Sequence, residues 1–414
     1  MLCAVRADPY SEPPSPYRPG WDEPRPPRRG PGRWKIPLLL GLVVAVGLGA
    51  LTVAATMSRS ADVPADGTWV GATDAGSASA GGAAAGTSAP ATDATLSLAA
   101  TGDIVMGNAP SGLPPNGGRD FFAKVSSVLG ADLQMGNLEQ TLTEDTGTAK
   151  CSAASAGKTC FAFRTPPSYA TVLRDAGFGL VTMANNHAYD YGRQGYQNTK
   201  NALDEAGVAY TGDPDLVTVV PVKGVRVAVV GFAPYSWAND PNDLEGARAV
   251  VTKAASQADI VVVQVHMGAE GSDKTHVKPG TETYLGENRG DPIKFSHTVV
   301  DAGADLVIGH GPHVMRGMEF YKERLIAYSL GNFGGYRALS SAGLVGVGGV
   351  VKVTLRGDGA FVEGTLASTV MVSPGLPKVD PKNQAVKLVA SLSTADFGET
   401  GAQIDGTGRI TPPA

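Results

Sequence analysis

Six short apolar runs, at residues 95–101, 132–135, 178–184, 225–232, 260–265 and 306–308, constrain most of what this chain can fold into. Runs of about four to eight residues, rich in Val and Leu and closed by Gly or Asn, suit strands buried on both faces. Helically spaced segments that stop at glycine lie among them. Tyr169, Val172, Leu173 and Ala176 precede Gly177; Tyr196, Ala202, Leu203 and Ala206 precede Gly207; Ile293, Val299, Val300 and Ala302 precede Gly303. Glycine accepts the left-handed geometry that ends a helix. The unit helix, glycine, strand therefore recurs three times and predicts an α/β architecture with helices outside the sheet.

What the runs lead into carries chemistry. The first meets Gly102-Asp103, the second Gly136-Asn137-Leu138-Glu139, the third Asn185-Asn186-His187, the fifth His266, and the sixth Gly309-His310-Gly311-Pro312-His313. Ligands of α/β sheets bind outside the carboxyl ends of strands, so these groups are expected on one rim. Carboxylate oxygens, an Asn carbonyl and imidazoles form the donor set selected by divalent Zn, Mn or Fe. His276, in a polar stretch, and His297, in a helical one, read as structural. Ser329 and Gly331 lack the Gly-x-Ser-x-Gly spacing of a nucleophile elbow, which sets serine-hydrolase chemistry aside. Asn332 and Arg193 are candidate substrate contacts, although Arg164, Arg193 and Arg316 each read first as solvated surface cations. Residues 271–291 follow His266 without clear periodicity and read as a lid or specificity loop.

Composition divides the rest. Residues 1–35 hold nine Pro, seven Lys/Arg and four Asp/Glu with few aliphatic side chains, which predicts a disordered tail. Residues 36–57 are 22 uncharged positions in succession, enough for a helix of roughly 33 Å against a hydrocarbon core of about 30 Å. Arg28, Arg29, Arg33 and Lys35 precede that run and only Arg59 follows closely, so the N-terminus is expected in the cytoplasm and the main domain outside the cell membrane. A cleaved signal peptide is the alternative, but its basic and apolar regions would both be overlong. Residues 58–94, rich in Ala, Gly, Ser and Thr, read as a flexible linker. The formal charge of -5 excludes a general nucleic-acid binder, and three Cys are too few for a disulfide scaffold. Cys151 and Cys160 lie on the expected outer side, where a disulfide between them is permitted.

Taken together, Gly102-Asp103-Ile104, Gly136-Asn137-Leu138-Glu139, Ala184-Asn185-Asn186-His187 with Asp190 and Gly192, His266-Met267-Gly268 with Glu270, Gly303-Ala304-Asp305, Gly309-His310-Gly311-Pro312-His313-Val314 and Tyr328-Ser329-Leu330-Gly331-Asn332-Phe333 resemble the poly-γ-glutamate capsule biosynthesis proteins of the CapA type. These are a branch of the calcineurin-like metallophosphatase superfamily, and the resemblance covers about residues 96–370. It implies a sandwich of two β-sheets flanked by helices over residues 95–375, preceded here by one transmembrane helix and followed by a C-terminal tail, 376–414. It implies two divalent metal ions, held by Asp103, Glu139 or Asn137, Asn186, His266, His310 and His313, with His187 as proton donor and Asp190 orienting it. Val105, the Asn137/Glu139 pair and Gly311 depart from the superfamily or family pattern. The implied substrate is an anionic envelope polymer or a phosphoester, with membrane capsule-synthesis subunits as partners. A non-catalytic export or anchoring subunit and a general phosphoesterase are the alternatives.

Overall fold

In the computed structural model, which describes residues 68–70 and 94–414, the six apolar runs are strands: β1 (Thr95–Val105), β2 (Leu133–Leu138), β3 (Phe178–Thr182), β4 (Val225–Phe232), β5 (Ile260–His266) and β6 (Leu306–His310). The expected tail and membrane anchor lie outside the described residues, as does most of the linker. Among the described residues no helix is long and apolar enough to cross a membrane.

β1, β2 and β3 run parallel in a ten-stranded sheet, extended past β1 by antiparallel Val347–Arg356 and then Phe361–Val372. β4, β5 and β6 run parallel in a seven-stranded sheet. Alternation along the strands explains why the runs read as continuously apolar. Val227, Val229, Val262 and Ile308 bury one face of the second sheet in a layer shared with Leu98, Met135 and Leu180 of the first. The intervening Ala228, Val230, Val261, Val263 and Val307 pack outward with Val251, Phe295 and Val299 from two helices, Leu244–Gln257 and Pro292–Asp301. Helices Tyr169–Asp175 and Gly192–Ala206 cover the other sheet, burying Leu173 and Leu203 against Ile104, Leu138 and Val181. Each fully buried Val contributes on the order of 1.5–3 kcal/mol. The result is a mixed α/β sandwich of two sheets with helices on both outer faces.

Three differences from the sequence reading have local causes. The helix Leu244–Gln257 is not signalled by a terminal glycine; it begins where Asp243 accepts a hydrogen bond from Gly246 N (3.0 Å) and ends at Ala258. Residues 271–291 contain a small hairpin, Thr283–Tyr284 against Glu287–Asn288. Residues 376–414 are part of the domain rather than a tail. Leu376–Val379 and Arg409–Thr411 pair with Phe361–Val372, and helix Gln384–Phe397 buries Val386 and Val389 in the layer between the sheets.

An Ala-Asp-Leu/Ile triplet opens β2, β5 and β6, and its aspartate caps the neighbouring strand. Asp132 accepts from Ser97 N (2.8 Å), Asp259 from Arg226 N (2.9 Å) and Asp305 from Val261 N (2.9 Å). These caps tie the amino edges of the parallel strands together and leave the carboxyl edges free for chemistry. Burial pushes the Asp305 carboxyl up to about 6, against the opposing pull of Val261 N–H and Arg324. A carboxyl raised on folding contributes stability at low pH that is lost as pH rises through the folded value. Asp305→Asn keeps the acceptor without the charge. Its stability relative to the wild type should therefore improve by on the order of 2 kcal/mol between pH 4 and pH 8, measured by urea unfolding; a pH-independent difference would refute this.

Candidate metal centre

Strand register decides which side chains meet. In the first sheet Asn332, on β7 (Asn332–Gly335), stands opposite Asp103 on β1, which stands opposite Asn137 on β2. In the second sheet His266 on β5 stands opposite His310 on β6. These residues lie inside the strands, which run further than their apolar cores suggest. Glu139 follows β2 directly. His313 follows β6 after a turn and adopts φ 59, a left-handed conformation that costs a non-glycine residue about 1–2 kcal/mol. It is held there by donating from Nδ1 to Asn332 Oδ1 (2.8 Å), while Asn332 Nδ2 donates to Val345 O (3.0 Å). Asn332 thus orients an imidazole.

The two sheets meet through charge. His313 Nδ1 lies 3.2 Å from Asp103 Oδ2, and His310 Nδ1 lies 3.5 Å from Asp103 Oδ1. His313 Nε2 is 3.6 Å from Glu139 Oε1, and His266 Nε2 is 4.0 Å from the same oxygen. Asp103, Glu139 and His313 each offer a ligand atom within 4.8 Å of the others. Asp103 and Glu139 are fully buried, yet Asp103 Oδ2, both Glu139 oxygens, His310 Nδ1 and Asn186 Oδ1 have no hydrogen-bond partner. Buried acceptors are ordinarily satisfied, and the unsatisfied oxygens of Asp103 and Glu139 gathered with His310 and His313 are the chemistry of a divalent cation site. Gln264 Oε1 accepts from His310 Nε2 (3.2 Å), which fixes the tautomer that leaves Nδ1 bare for a ligand role.

The electrostatics agree. Burial pushes Glu139 well above the usual carboxylate range, with Asp103 and Glu270 adding to the shift against the pull of His313. Burial also opposes ionisation of Asp103, but the imidazoles of His310 and His313 outweigh it and hold that carboxyl far below its ordinary value. For His313, burial disfavours the charge, yet Glu139, Asp103 and Glu270 raise it well above the usual imidazole range. A proton on His313 and a metal ion are therefore alternative positive charges at one place, and acid should weaken metal binding.

The turn Asn185-Asn186-His187 after β3 is fastened to β2. His187 N donates to Asn185 Oδ1 (3.0 Å), and Asn185 Nδ2 donates to Leu138 O and to Asn137 Oδ1 (2.9 Å each). Asn137 Nδ2 in turn donates to Asp103 Oδ1 (2.8 Å). Asn137, expected as a ligand, therefore turns its amide rather than its carbonyl toward Asp103. His187 Nδ1 lies 2.7 Å from Asp190 Oδ2, which also accepts from Phe163 N (2.6 Å), while Lys150 Nζ lies 2.5 Å from Asp190 Oδ1. Burial lowers the His187 value, with Asp190 opposing. Cys151, next to Lys150, is bonded to Cys160.

Arg193 is exposed on the first turn of its helix. The other two arginines are not the solvated cations they resembled. Arg316 is buried on Glu282, donating from Nη2 (2.8 Å), and Arg164 is buried with Nη2 3.3 Å from Asp145 Oδ2. Sequence reasoning missed Gln264, Lys150 and Arg289, and it marked Glu270 without giving it a role. Gln264 was within reach, because it shares a strand face with His266 two residues on. Arg289, buried within the irregular segment, carried no signal.

A profile of the bacterial capsule synthesis protein PGA_cap family matches residues 97–335. The chain is 32% identical over 260 residues to the capsule biosynthesis protein CapA of Bacillus anthracis, covering 57% of this chain and 59% of that protein. It is 30% identical over 256 residues to the PGA biosynthesis protein CapA of Bacillus subtilis (strain 168), covering 57% and 62%. The chain thus spans about three-fifths of the length of these relatives. Among solved structures, the 5'-nucleotidase precursor of Thermus thermophilus aligns at 15% identity and a TM-score of 0.38, covering 74% of this chain and 59% of that one.

Saturating Mn²⁺ should raise the melting temperature of the chelator-treated protein, a ligand at 100 times its Kd being worth about 2.7 kcal/mol. Glu139→Gln should abolish that rise without lowering the metal-free melting temperature, since it removes a buried carboxyl that is costly to ionise. An unchanged rise in the variant would exclude Glu139 as a ligand.

Proposed function

The chain belongs to the bacterial capsule synthesis protein PGA_cap family, and from that premise we propose that it is a metal-dependent hydrolase acting on an anionic envelope polymer, poly-γ-glutamate or a related one, during its synthesis or export. The observation that carries this reading is the set of buried, unpartnered acceptors on Asp103, Glu139 and His310, facing His313. A divalent cation held there supplies Lewis acidity at a phosphoester or amide bond and activates water.

The chain's own residues supply the rest. His187 donates from Nδ1 to Asp190, whose position is fixed by Phe163 N and Lys150. That leaves Nε2 as the atom that exchanges a proton with the leaving group. The chain of hydrogen bonds from His187 N through Asn185 and Asn137 to Asp103 keeps the proton-handling turn in a fixed relation to the metal-binding strands. Lys150 places a cation beside the same turn.

We further propose that residues 36–57 anchor the chain in the cell membrane with this domain outside the cytoplasm. The Cys151–Cys160 bond supports that placement, because such bonds persist in oxidising compartments. Membrane subunits of a polymer-synthesis assembly would then be its neighbours.

With Mn²⁺, the purified full chain should cleave an activated phosphodiester or shorten poly-γ-glutamate, and His187→Ala should lower kcat by about 10²- to 10⁴-fold while retaining bound Mn²⁺. Undiminished complementation of polymer production by a folded His187→Ala chain would favour an export or anchoring role instead.

A further inference from the structure

The proposed hydrolase role gives no task to Arg289, a guanidinium only 1% exposed at the heart of the site. Its Nη1 donates to Glu270 Oε1 (2.8 Å), its Nη2 lies 3.2 Å from His266 Nε2, and its Nε is buried without a partner. A guanidinium is a donor only and stays charged. Its contact therefore occupies the lone pair that His266 would need to bind a metal through Nε2.

The other His266 nitrogen is no better placed. Nδ1 faces Asn137 Nδ2 at 3.5 Å, and that amide is oriented by the chain of bonds that begins at the His187 peptide. Room for the guanidinium comes from Gly311. A Cβ there would sit 3.1 Å from the His266 ring and 3.3 Å from Arg289 Nη2, and its φ of +105 disfavours any side chain.

Charge points the same way. Among the largely buried carboxylates, Asp103, Glu139 and Glu270 bring three negative charges together, and one divalent ion with Arg289 balances them; Glu287, 3.7 Å from Arg289 Nη1, is 37% exposed and screened by water. A second divalent ion would leave a surplus of two positive charges in a site that water scarcely reaches, where unbalanced charge is expensive.

We propose that Arg289 stands in the place of a second metal ion: the centre holds one divalent cation on Asp103, Glu139, His310 and His313, and the guanidinium, braced between Glu270 and His266, is the fixed positive charge beside it. This rests on the metal-dependent role proposed above and replaces the expectation of two ions with His266 as a ligand. An anionic substrate group would then meet one exchangeable cation and one permanent one.

The test is the metal content of the full chain, stripped with chelator, reloaded with Mn²⁺ and freed of excess, read by elemental analysis and electron paramagnetic resonance. One Mn²⁺ per chain with the six-line signal of an isolated ion is expected. Two ions with the exchange-coupled spectrum of a pair about 3.5–4 Å apart would overturn the inference and leave the metal-dependent role standing. No bound ion would overturn both. Arg289→Ala, if its melting curve shows a folded protein, should take up a second ion through the freed His266 and Glu270; retention of one ion would overturn the assignment to Arg289. The wild-type stoichiometry decides the question even where that variant does not fold.

Discussion

An ionised carboxylate taken out of water without compensation is penalised by several kcal/mol, and this fold buries Asp103 and Glu139 completely, with three of their four oxygens unpartnered. The rest of the domain is arranged around that fact. Two sheets bring their carboxyl edges to one place, so that a carboxylate-bearing strand of one faces imidazole-bearing strands of the other. The apolar layer between them, from Leu98 and Met135 to Val262 and Ile308, gives both edges a rigid base. The opposite edges are closed by aspartates that cap strand amides, so polar backbone there is already satisfied. The carboxyl rim is where the unpartnered carboxylate oxygens of Asp103 and Glu139 gather.

Hydrogen bonds make that rim a single unit. They run from the His187 peptide through Asn185 and Asn137 to Asp103, and from His313 through Asn332 to Val345 O. Each asparagine uses both ends of its amide, which fixes its orientation. Asn332 holds His313 in a backbone conformation that a non-glycine residue adopts only when restrained. Such outer partners fix tautomers and orientations as much as the ligating atoms do. Gln264 beneath His310 and Asp190 beneath His187 have the same role, leaving Nδ1 bare in one imidazole and Nε2 bare in the other.

Much of this was legible in the sequence, for identifiable reasons. Strands buried on both faces announce themselves as apolar runs, and Asp103, Glu139, His266, His310 and His313 stood out because each follows such a run. Glycines 177, 207 and 303 marked three helix ends because left-handed geometry there favours a residue without Cβ. The helix Leu244–Gln257 ends without that punctuation and was missed. Long-range ion pairs were also hidden: Arg289 reaches His266 and Glu270 from an irregular segment, and Arg316 meets Glu282 34 positions away. No local pattern encodes such partners. The segment 376–414 was set apart as a tail because the family motifs end before it, while the strand it pairs with, Phe361–Val372, lies far from it in pattern though not in space.

The proposed chemistry requires a cation lying where the two sheets meet. Anomalous diffraction at the manganese edge from crystals grown with Mn²⁺ tests this most directly. A peak bounded by Asp103, Glu139, His310 and His313 is the predicted result; a map with no peak there, or with density only at surface carboxylates, would contradict it.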